Sequence, residues 1–324
     1  MVTQVTPAAE PPCLQIDGLH LALRGGHQRP ARLILRGIEL SIARGEVHAL
    51  VGESGAGKSL LGRTVLGITP PAMQVLAGTV TFLGRDWLSL TPAQRRVHLG
   101  RDIALIPQDP LTALNPGHRI GAQIGDVLRL HLAMTASQAR ARTLELLAAV
   151  QIRDPATVLR QYPHELSGGM RQRVLIAIAF ACRPKLIIAD EPTTALDVTV
   201  QREVLRLLRA LQRDEGVAVL FITHNLGLVA RLCDQVSVIH AGRIVEHGAV
   251  RRIIEAPRSA YTRALFAATP RHDRPAEALR PIDAAITDAL SAQALVYEDA
   301  WWQGRGIGIG IDIGIGARAD ASRG

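Results

Sequence analysis

The sequence predicts an α/β fold in which helices cover both faces of a largely parallel β-sheet. Two continuous apolar runs, residues 186–189 and 217–222, are typical of strands that are buried on both faces. Between these runs, residues 198–211 have the period of an amphipathic helix. A third apolar run, residues 47–51, leads into a glycine-rich loop at residues 52–59 and then into a further helical segment. This alternation of buried strands and helices is typical of an α/β architecture.

The loop at residues 52–59 has the composition of a phosphate-binding loop. Its glycines allow successive backbone N–H groups to turn toward one anion, and the helix that follows, up to Gly67, directs its positive end at the same anion. Lys58 would contact the β- and γ-phosphates, and the Ser59 hydroxyl would bind Mg²⁺. We therefore predict that the chain binds a nucleoside triphosphate through Gly52, Glu53, Ser54, Gly55, Ala56, Gly57, Lys58, Ser59 and Leu60.

Lysine usage supports the same prediction. Of 37 basic residues only Lys58 and Lys185 are lysines, and the rest are arginines. Arginine is a flat, delocalised fork, whereas lysine is a compact point charge on a flexible stem. A chain that otherwise uses arginine has therefore kept lysine at the phosphate position. Lys185 is interpreted as a solvated residue just before a buried strand.

Composition excludes several classes of protein. The chain has 324 residues, 48% of them hydrophobic and 20% charged, which is typical of a globular protein with one large core or two modest ones. The net charge is +8, but aromatic residues make up only 3%, and base-stacking surfaces need aromatics beside a basic groove. We therefore expect no nucleic-acid partner, whereas a basic surface that faces lipid or an acidic partner is compatible with this charge.

Targeting and cysteine patterns indicate a cytosolic protein. Residues 1–12 lack the pattern of a signal peptide and are predicted to be a loose tail. No apolar run reaches about 18 residues, so a membrane-spanning helix is not expected, although the chain could dock on a membrane protein. The cysteines are odd in number and have no metal-ligand spacing, which favours reduced thiols: Cys13, Cys182 and Cys233.

Further elements follow from local patterns. Strands are predicted within residues 38–50, which a turn at Arg44-Gly45 divides, and at residues 78–83 and 103–106. The apolar period becomes helical over residues 120–150, with a cap at Thr135. The sheet is thus interrupted by a helical insertion at about residues 107–182. Residues 271–324 are rich in Ala, Arg and Asp, include an Ile/Gly alternation at 306–316, and are predicted to be a weakly ordered tail without an assigned function.

Four polar residues follow predicted strands at the edge where ligands gather in a parallel sheet. Asp190 and Glu191 follow the run at residues 186–189. Asp190 could hold Mg²⁺, and Glu191 could polarise an attacking water. His224 and Gln108 follow two other predicted strands. His224 could contact the γ-phosphate, and Gln108 could contact the metal or the water. Taken singly, each residue could equally be an ordinary strand-end, surface or turn residue. The phosphate-binding loop favours the catalytic interpretation.

A second candidate anion site lies at the start of the helix predicted over residues 171–181. Ser167, Gly168 and Gly169 precede this helix, as residues of an anion-binding terminus would. A plain helix cap is the alternative for such a segment. If both termini serve one nucleotide, the second could come from another subunit.

Together these segments resemble the ATPase subunit of an ATP-binding cassette (ABC) transporter. The motifs occur in the order and spacing of that family over about residues 13–270: the loop at 52–59, Gln108, the signature at 166–170, Asp190 with Glu191, the segment 194–197, and His224. The resemblance implies a P-loop NTPase (RecA-like) core with a helical subdomain and a small antiparallel β-subdomain, the ABC ATPase fold. It also implies ATP and Mg²⁺ as cofactors.

The resemblance further assigns roles to these residues. Glu191 would be the general base and His224 would hold the γ-phosphate, while Ser59, Gln108 and Asp190 would hold Mg²⁺. In a head-to-tail dimer, Ser167 and its two glycines would close over ATP that the opposite subunit holds. Asp197 would communicate across that interface, although a helix cap is an equally good structural role for it.

Four longer segments resemble the dipeptide/oligopeptide/nickel importer branch: residues 108–116, 162–173, 189–198 and 256–262. Met170, where glutamine is commoner across the superfamily, fits one of that branch's two paired ATPases. The branch implies a second, non-identical ATPase, two membrane permeases, an external binding protein, and a location at the cytoplasmic face of the inner membrane. The alternative is a soluble ABC ATPase. A GTPase is disfavoured because neither Asn115 nor Asn225 is followed by lysine.

Two departures from the family matter. The family usually stacks adenine on an aromatic residue upstream of the phosphate loop, but the first aromatic here is Phe82. We therefore expect aliphatic side chains, an arginine such as Arg24 or a histidine such as His20 to contact adenine, and selectivity for ATP over GTP to be weak. Some relatives hold an iron–sulfur cluster in a cysteine-rich C-terminal extension. No cysteine follows Cys233, so no such cluster is expected here.

Overall fold

The computed structural model describes residues 10–25, 31–194, 196–268 and 282–305. Within these ranges the strands are β1 (Leu14–Leu23), β2 (Arg32–Ile42), β3 (Val47–Val51), β4 (Met73–Phe82), β5 (Arg85–Asp86), β6 (Ile103–Ile106), β7 (Leu186–Asp190), β8 (Ala218–Thr223), β9 (Gln235–His240) and β10 (Arg243–Ala249). The helices are α1 (Lys58–Leu66), α2 (Pro92–His98), α3 (Pro110–Ala113), α4 (Ile120–Leu132), α5 (Ala136–Ala149), α6 (Pro155–Val158), α7 (Gly168–Phe180), α8 (Val198–Glu215), α9 (Leu226–Leu232), α10 (Val250–Glu255), α11 (Ala260–Ala267) and α12 (Ala284–Gln303).

The larger sheet has six strands in the order β10-β9-β3-β8-β7-β6. Its five strands from β9 to β6 are parallel, and β10 adds an antiparallel edge. Every residue of β3 and of β8 is buried, as expected for strands that are covered on both faces. The predicted α/β fold class is therefore confirmed, and the carboxyl ends of β3, β6, β7 and β8 meet at one edge of the sheet.

A second, antiparallel sheet has the order β2-β1-β4-β5. The sequence patterns missed β1, although Leu14 and Ile16 alternate with polar residues at its start. At Gly18, which has a φ of 57°, the pairing with both neighbouring strands shifts register, and this shift breaks the alternation. β4 begins at Met73 rather than at the predicted position 78, because Met73 pairs with Leu23.

The chain between β6 and β7 forms helices α3 to α7, which make up one helical layer. The predicted cap at Thr135 is confirmed, since its side chain accepts a hydrogen bond from the Gln138 N–H in a reciprocal capping box. Ser167 likewise caps α7 by accepting from the Met170 N–H. This layer packs on one face of the large sheet through an apolar cluster that includes Ile124 and Phe180.

The prediction of a weakly ordered tail over residues 271–324 is wrong for residues 282–305. These include the 20-residue helix α12, which Asp283 caps. Trp302 is only 4% exposed and packs with Ala22 and Leu33 of the antiparallel sheet. The helix is stabilised by these long-range contacts, which the local composition does not reveal. The Ile/Gly alternation and most of the predicted N-terminal loose tail lie outside the described residues.

None of the helices that the structure describes combines the length and the apolar character needed to cross a membrane.

Candidate functional site

The loop between β3 and α1 has a geometry that only glycine tolerates at several positions. Gly55 and Gly57 have φ values of 81° and 104°, in the left-handed region that side chains disfavour. A Cβ on Gly52 would overlap the carbonyl oxygen of Ile239. α1 then begins at Lys58, so its N-terminal N–H groups and positive dipole end face the loop. The predicted phosphate cradle therefore has the backbone geometry that this function needs.

Lys58 lies in the centre of this cradle and is 6% exposed. Its Nζ donates to the carbonyl oxygens of Gly52 and Glu53, both at 2.8 Å. Burial lowers the pKa of the Lys58 ammonium, and the nearby carboxylates of Glu191, Asp190 and Glu53 oppose this shift. The ammonium thus has weak, replaceable acceptors, and phosphate oxygens could replace them.

Ser59 and Asp190 join the start of α1 to the end of β7. The Ser59 Oγ donates to the Asp190 Oδ1 at 2.9 Å. Burial raises the pKa of the Asp190 carboxyl, and the Ser59 hydrogen bond opposes that shift. A hydroxyl and a carboxylate that share one point of the sheet edge are hard oxygen donors, the ligands that Mg²⁺ prefers. The side chains present therefore fit a magnesium ion.

Glu191 is the residue around which the other predicted catalytic side chains gather. Its φ of 46° is in the left-handed region, a strained conformation for glutamate that occurs mainly at functional sites. Its Oε1 lies 3.1 Å from the His224 Nδ1, and its Oε2 lies 3.4 Å from the Gln108 Nε2. The structure therefore brings together three residues that are far apart in the sequence. This carboxylate, held at the sheet edge, could accept a proton from a water molecule.

Thr194 also contacts this carboxylate, and the sequence analysis, which included it only as the start of the segment 194–197, assigned it no role of its own. Its Oγ1 donates to the Glu191 Oε2 at 3.0 Å. Two sequence signals pointed to it, its place in the segment 194–197 and its position three residues after Glu191. The hydroxyl thus holds one carboxylate oxygen and leaves the other to His224.

We expect Thr194→Val to lower kcat for ATP hydrolysis about tenfold, because it removes one hydrogen bond from the carboxylate. The KM for ATP should change little, since the phosphate loop is untouched. Thr194→Ser, which keeps the hydroxyl, is the matched control and should restore kcat in a steady-state assay. A valine variant with parental kcat would contradict a role for Thr194 in orienting Glu191.

One open cavity of about 820 Å³ is lined by Lys58, Ser59, Gln108, Glu191 and His224, whereas Asp190 and Thr194 do not line it. It extends from the sheet edge to apolar side chains on β2, α1 and β4, and its lining residues are Ile34, Ser54, Gly55, Gly57, Lys58, Ser59, Leu60, Arg63, Pro70, Met73, Gln108, Glu191 and His224. The polar end matches phosphates and the apolar end matches a nucleobase. Four of these residues were not predicted: Ile34, Arg63, Pro70 and Met73.

The two named candidates for the base do not line the cavity that the described residues form. His20 is 7% exposed and is covered by α12, with its ring stacked on Tyr297 and Trp301 at centroid distances of 5.9 and 4.9 Å. Arg24 lies at the end of β1 and does not line the cavity either. Of the predicted kinds of residue, aliphatic side chains line the cavity, and so does a different arginine, Arg63.

The second group of predicted residues lies elsewhere, on an exposed surface. Ser167 and Gly168 at the start of α7 are exposed, as is Asp197, which caps α8 by accepting from the N–H groups of Thr199 and Val200. The two helix starts are adjacent, because a Cβ on Gly169 would lie 2.6 Å from Val200 Cγ1. Ser167, Gly168, Gly169 and Asp197 do not line the cavity described above.

Comparison with known proteins gives consistent matches. The family model described as ABC transporter matches residues 35–194. The chain is 48% identical to the peptidoglycan transport ATP-binding protein YejF of Agrobacterium fabrum, over 84% of this chain and 50% of that protein. It is 46% identical to the probable D,D-dipeptide transport ATP-binding protein DdpD of Escherichia coli, over 85% of this chain and 84% of that protein. The dipeptide transport ATP-binding protein DppD of Bacillus subtilis is 43% identical, over 86% of this chain and 83% of that protein.

Solved structures show the same fold. A dimeric ATP-binding cassette in a post-hydrolysis state, bound to ADP and phosphate, superposes with a TM-score of 0.65 at 24% identity, covering 74% of this chain and 99% of that one. The cbiO1 protein of Clostridium perfringens, part of the cbiONQ ABC transporter complex, superposes with a TM-score of 0.64 at 26% identity, over 76% and 92%. The chain spans half the length of YejF and more than four fifths of DdpD and DppD.

Proposed function

The chain belongs to the ABC transporter family and is one of its ATP-hydrolysing cassettes, and from this premise we propose that it powers the import of a peptide or another small solute. The observation that carries the proposal is the single cavity in which the phosphate loop faces Glu191, Gln108 and His224. The transported class is supported by the names of the similar proteins, which include dipeptide transport ATP-binding proteins.

In the proposed reaction, the loop N–H groups and Lys58 bind the β- and γ-phosphates. Ser59, Asp190 and Gln108 would hold Mg²⁺, which neutralises charge on the phosphates when bound. Glu191 accepts the proton of the water that attacks the γ-phosphate, and His224 contacts that phosphate from the same side as Glu191. Gln108, which already lies within reach of Glu191, orients the attacking water.

We propose that the exposed surface at the starts of α7 and α8 completes the site of a second subunit. Ser167, Gly168 and Gly169 offer a capped helix terminus with free N–H groups, and a γ-phosphate is the anion such a terminus suits. Asp197 and Val198, which is 58% exposed, adjoin this terminus and would contact the partner. A head-to-tail dimer is supported because these residues do not line the cavity of their own chain.

Base recognition would rest on the aliphatic end of the cavity. Ile34, Pro70 and Met73 offer apolar contact to any purine ring but no donor or acceptor that distinguishes adenine from guanine. We expect the Kd values for ATP and GTP to lie within about tenfold of each other, measured by competition with a fluorescent nucleotide. Ile34→Tyr, which adds an aromatic ring at this end, should tighten both, by roughly 0.5–1.5 kcal/mol. A parental preference for ATP well above tenfold would contradict apolar recognition.

The proposed assembly contains a second, non-identical ATPase subunit, two membrane permeases and an external binding protein, with this chain at the cytoplasmic face of the inner membrane. The experiment that tests this is mass spectrometry of proteins that co-purify with the chain from native membranes in mild detergent, with Mg²⁺ and an ATP analogue. Recovery of two permeases and a second ATPase is the expected result. Recovery of the chain from the soluble fraction alone, without membrane partners, would favour a soluble ABC ATPase.

A further inference from the structure

Helix α12 is attached to the body of the protein at two places. Its first half packs, through Ile286 and Leu290, against the apolar cluster that contains Val236 and Tyr261. Its second half covers the β1–β2 face through Trp302 and the stacked rings around His20. Tyr297 additionally lies under the guanidinium of Arg243, 4.5 Å from the ring centroid. The helix therefore contacts both sheets, the larger one near β3 and β9 and the antiparallel one at β1 and β2.

Glu298 is the buried charged residue of this helix and is 7% exposed. Its Oε1 accepts from the Leu33 N–H at 2.6 Å, and its Oε2 accepts from the Arg36 Nη2 at 2.7 Å. Arg36 is itself only 5% exposed. A buried ion pair of this kind demands good geometry, because each charge would be strongly destabilising without its partner. The pair therefore fixes where Arg36 lies.

Arg36 also makes hydrogen bonds to the tight turn at Ala241 and Gly242. Its Nη1 donates to the Ala241 carbonyl at 2.7 Å, and its backbone N–H donates to the Gly242 carbonyl at 2.8 Å. Ala241 and Gly242 both have positive φ values, of 44° and 73°, and a Cβ on Gly242 would overlap the carbonyl of Ile34. The turn is thus pressed against β2 in a conformation that needs these hydrogen bonds.

The Ala241–Gly242 turn is itself hydrogen-bonded to the phosphate loop. The Gly242 N–H donates to the Ala56 carbonyl at 3.0 Å, between Gly55 and Gly57. A second, longer route begins at Ser291, whose hydroxyl lies 3.4 Å from the His240 Nε2. The His240 ring packs on the Tyr261 ring at a centroid distance of 4.6 Å. The Tyr261 hydroxyl then accepts from the Glu53 N–H at 3.2 Å. Both routes begin on α12 and end within residues 53–56.

We propose that α12 is a positioning element of the nucleotide site of its own chain, and that Glu298 and Arg36 are positioning residues that hold Ala56 through the Ala241–Gly242 turn. Neither residue touches the nucleotide cavity. Their role is to keep the loop carbonyls turned away from the anion and its N–H groups turned toward it. The C-terminal helix thereby contributes to ATP affinity.

The test compares Glu298→Gln with Asp299→Asn, the same chemical change at the next, exposed residue of α12. For the full-length chain, we expect Glu298→Gln to raise the Kd for Mg-ATP about tenfold and Asp299→Asn to leave it unchanged. Amide hydrogen exchange should accelerate in peptides that cover residues 53–58 of Glu298→Gln, while peptides from β7 and β8 keep the parental rate. KM for ATP should rise with little change in kcat.

A stability control separates positioning from general loosening. Leu147→Ala opens a cavity at a fully buried position of α5, in an apolar cluster that includes no residue of α12 or of either route. It should lower the melting temperature without accelerating exchange in residues 53–58 or weakening ATP binding. If Glu298→Gln does not fold, Arg36→Lys, which replaces two separated donors with one, takes its place. The proposal would be overturned if Glu298→Gln kept the parental Kd and the parental exchange rate in residues 53–58, or if Leu147→Ala raised the Kd equally.

Discussion

Replacing Glu191 by glutamine is expected to leave ATP binding intact while reducing hydrolysis about 100-fold or more, because an amide cannot accept the proton of the attacking water. The substitution keeps the shape of the side chain, and its amide can still contact His224 and Thr194, which lie 3.1 and 3.0 Å from the present carboxylate oxygens. In the proposed head-to-tail dimer, hydrolysis would let the subunits separate, so dimers should accumulate with ATP when hydrolysis is blocked. Single-turnover hydrolysis and size-exclusion chromatography with Mg-ATP measure these two effects.

The matched control for this experiment is Glu39→Gln, the same change at an exposed position of β2. Glu39→Gln should hydrolyse ATP at the parental rate. If Glu191→Gln also turned over at the parental rate, Glu191 would not be the general base, and Asp190 or an unassisted water would have to be considered. Loss of ATP binding in Glu191→Gln would show that the effect is on the fold of the site rather than on the chemical step.

Replacing Lys58 by methionine should weaken ATP binding about 100-fold or more, since it removes a buried ammonium that we propose contacts two phosphates. Burial lowers the pKa of this ammonium, and the negative charge of bound phosphate would oppose that shift, as the nearby carboxylates do. The measurement is equilibrium binding of a fluorescent ATP analogue, with the melting temperature as a check on folding.

The sequence offers its own control for Lys58, because Lys185 is its only other lysine. Lys185 is exposed and precedes β7, so Lys185→Met makes the same chemical change away from the cavity. We expect Lys185→Met to bind ATP with the parental Kd. Equal weakening in both variants would mean that lost net charge, and not the phosphate contact, explains the effect.

Most of the α/β core could be predicted because its signals are local. Continuous apolar runs identified β7 and β8, and the predicted strand at residues 103–106 coincides with β6. Caps at Thr135, Ser167 and Asp197 act within three residues of the helix start, so the sequence alone locates them. The antiparallel sheet was harder to predict, because a register shift at Gly18 interrupts the alternation of β1.

The site divides in the same way. The phosphate loop and the carboxylates after β7 were predicted from short motifs with a known physical function. The apolar base end was not, because Ile34, Pro70 and Met73 come from separate segments and have no motif in common. Thr194 was missed because a threonine near a strand end is unremarkable until its hydroxyl is found 3.0 Å from Glu191.

By itself, the sequence determined the family of this protein, and it predicted a nucleoside triphosphate ligand and the strand edge at which we propose hydrolysis. These depend on residue types whose backbone freedom, charge or donor atoms are required at fixed local spacings. Only the tertiary structure decided the position of α12, the burial of His20 beneath it and the path from Glu298 to Ala56. Such features depend on pairs like Arg36 and Glu298, which lie 262 positions apart. Each side chain alone is an ordinary charged residue, and only the fold brings the two together.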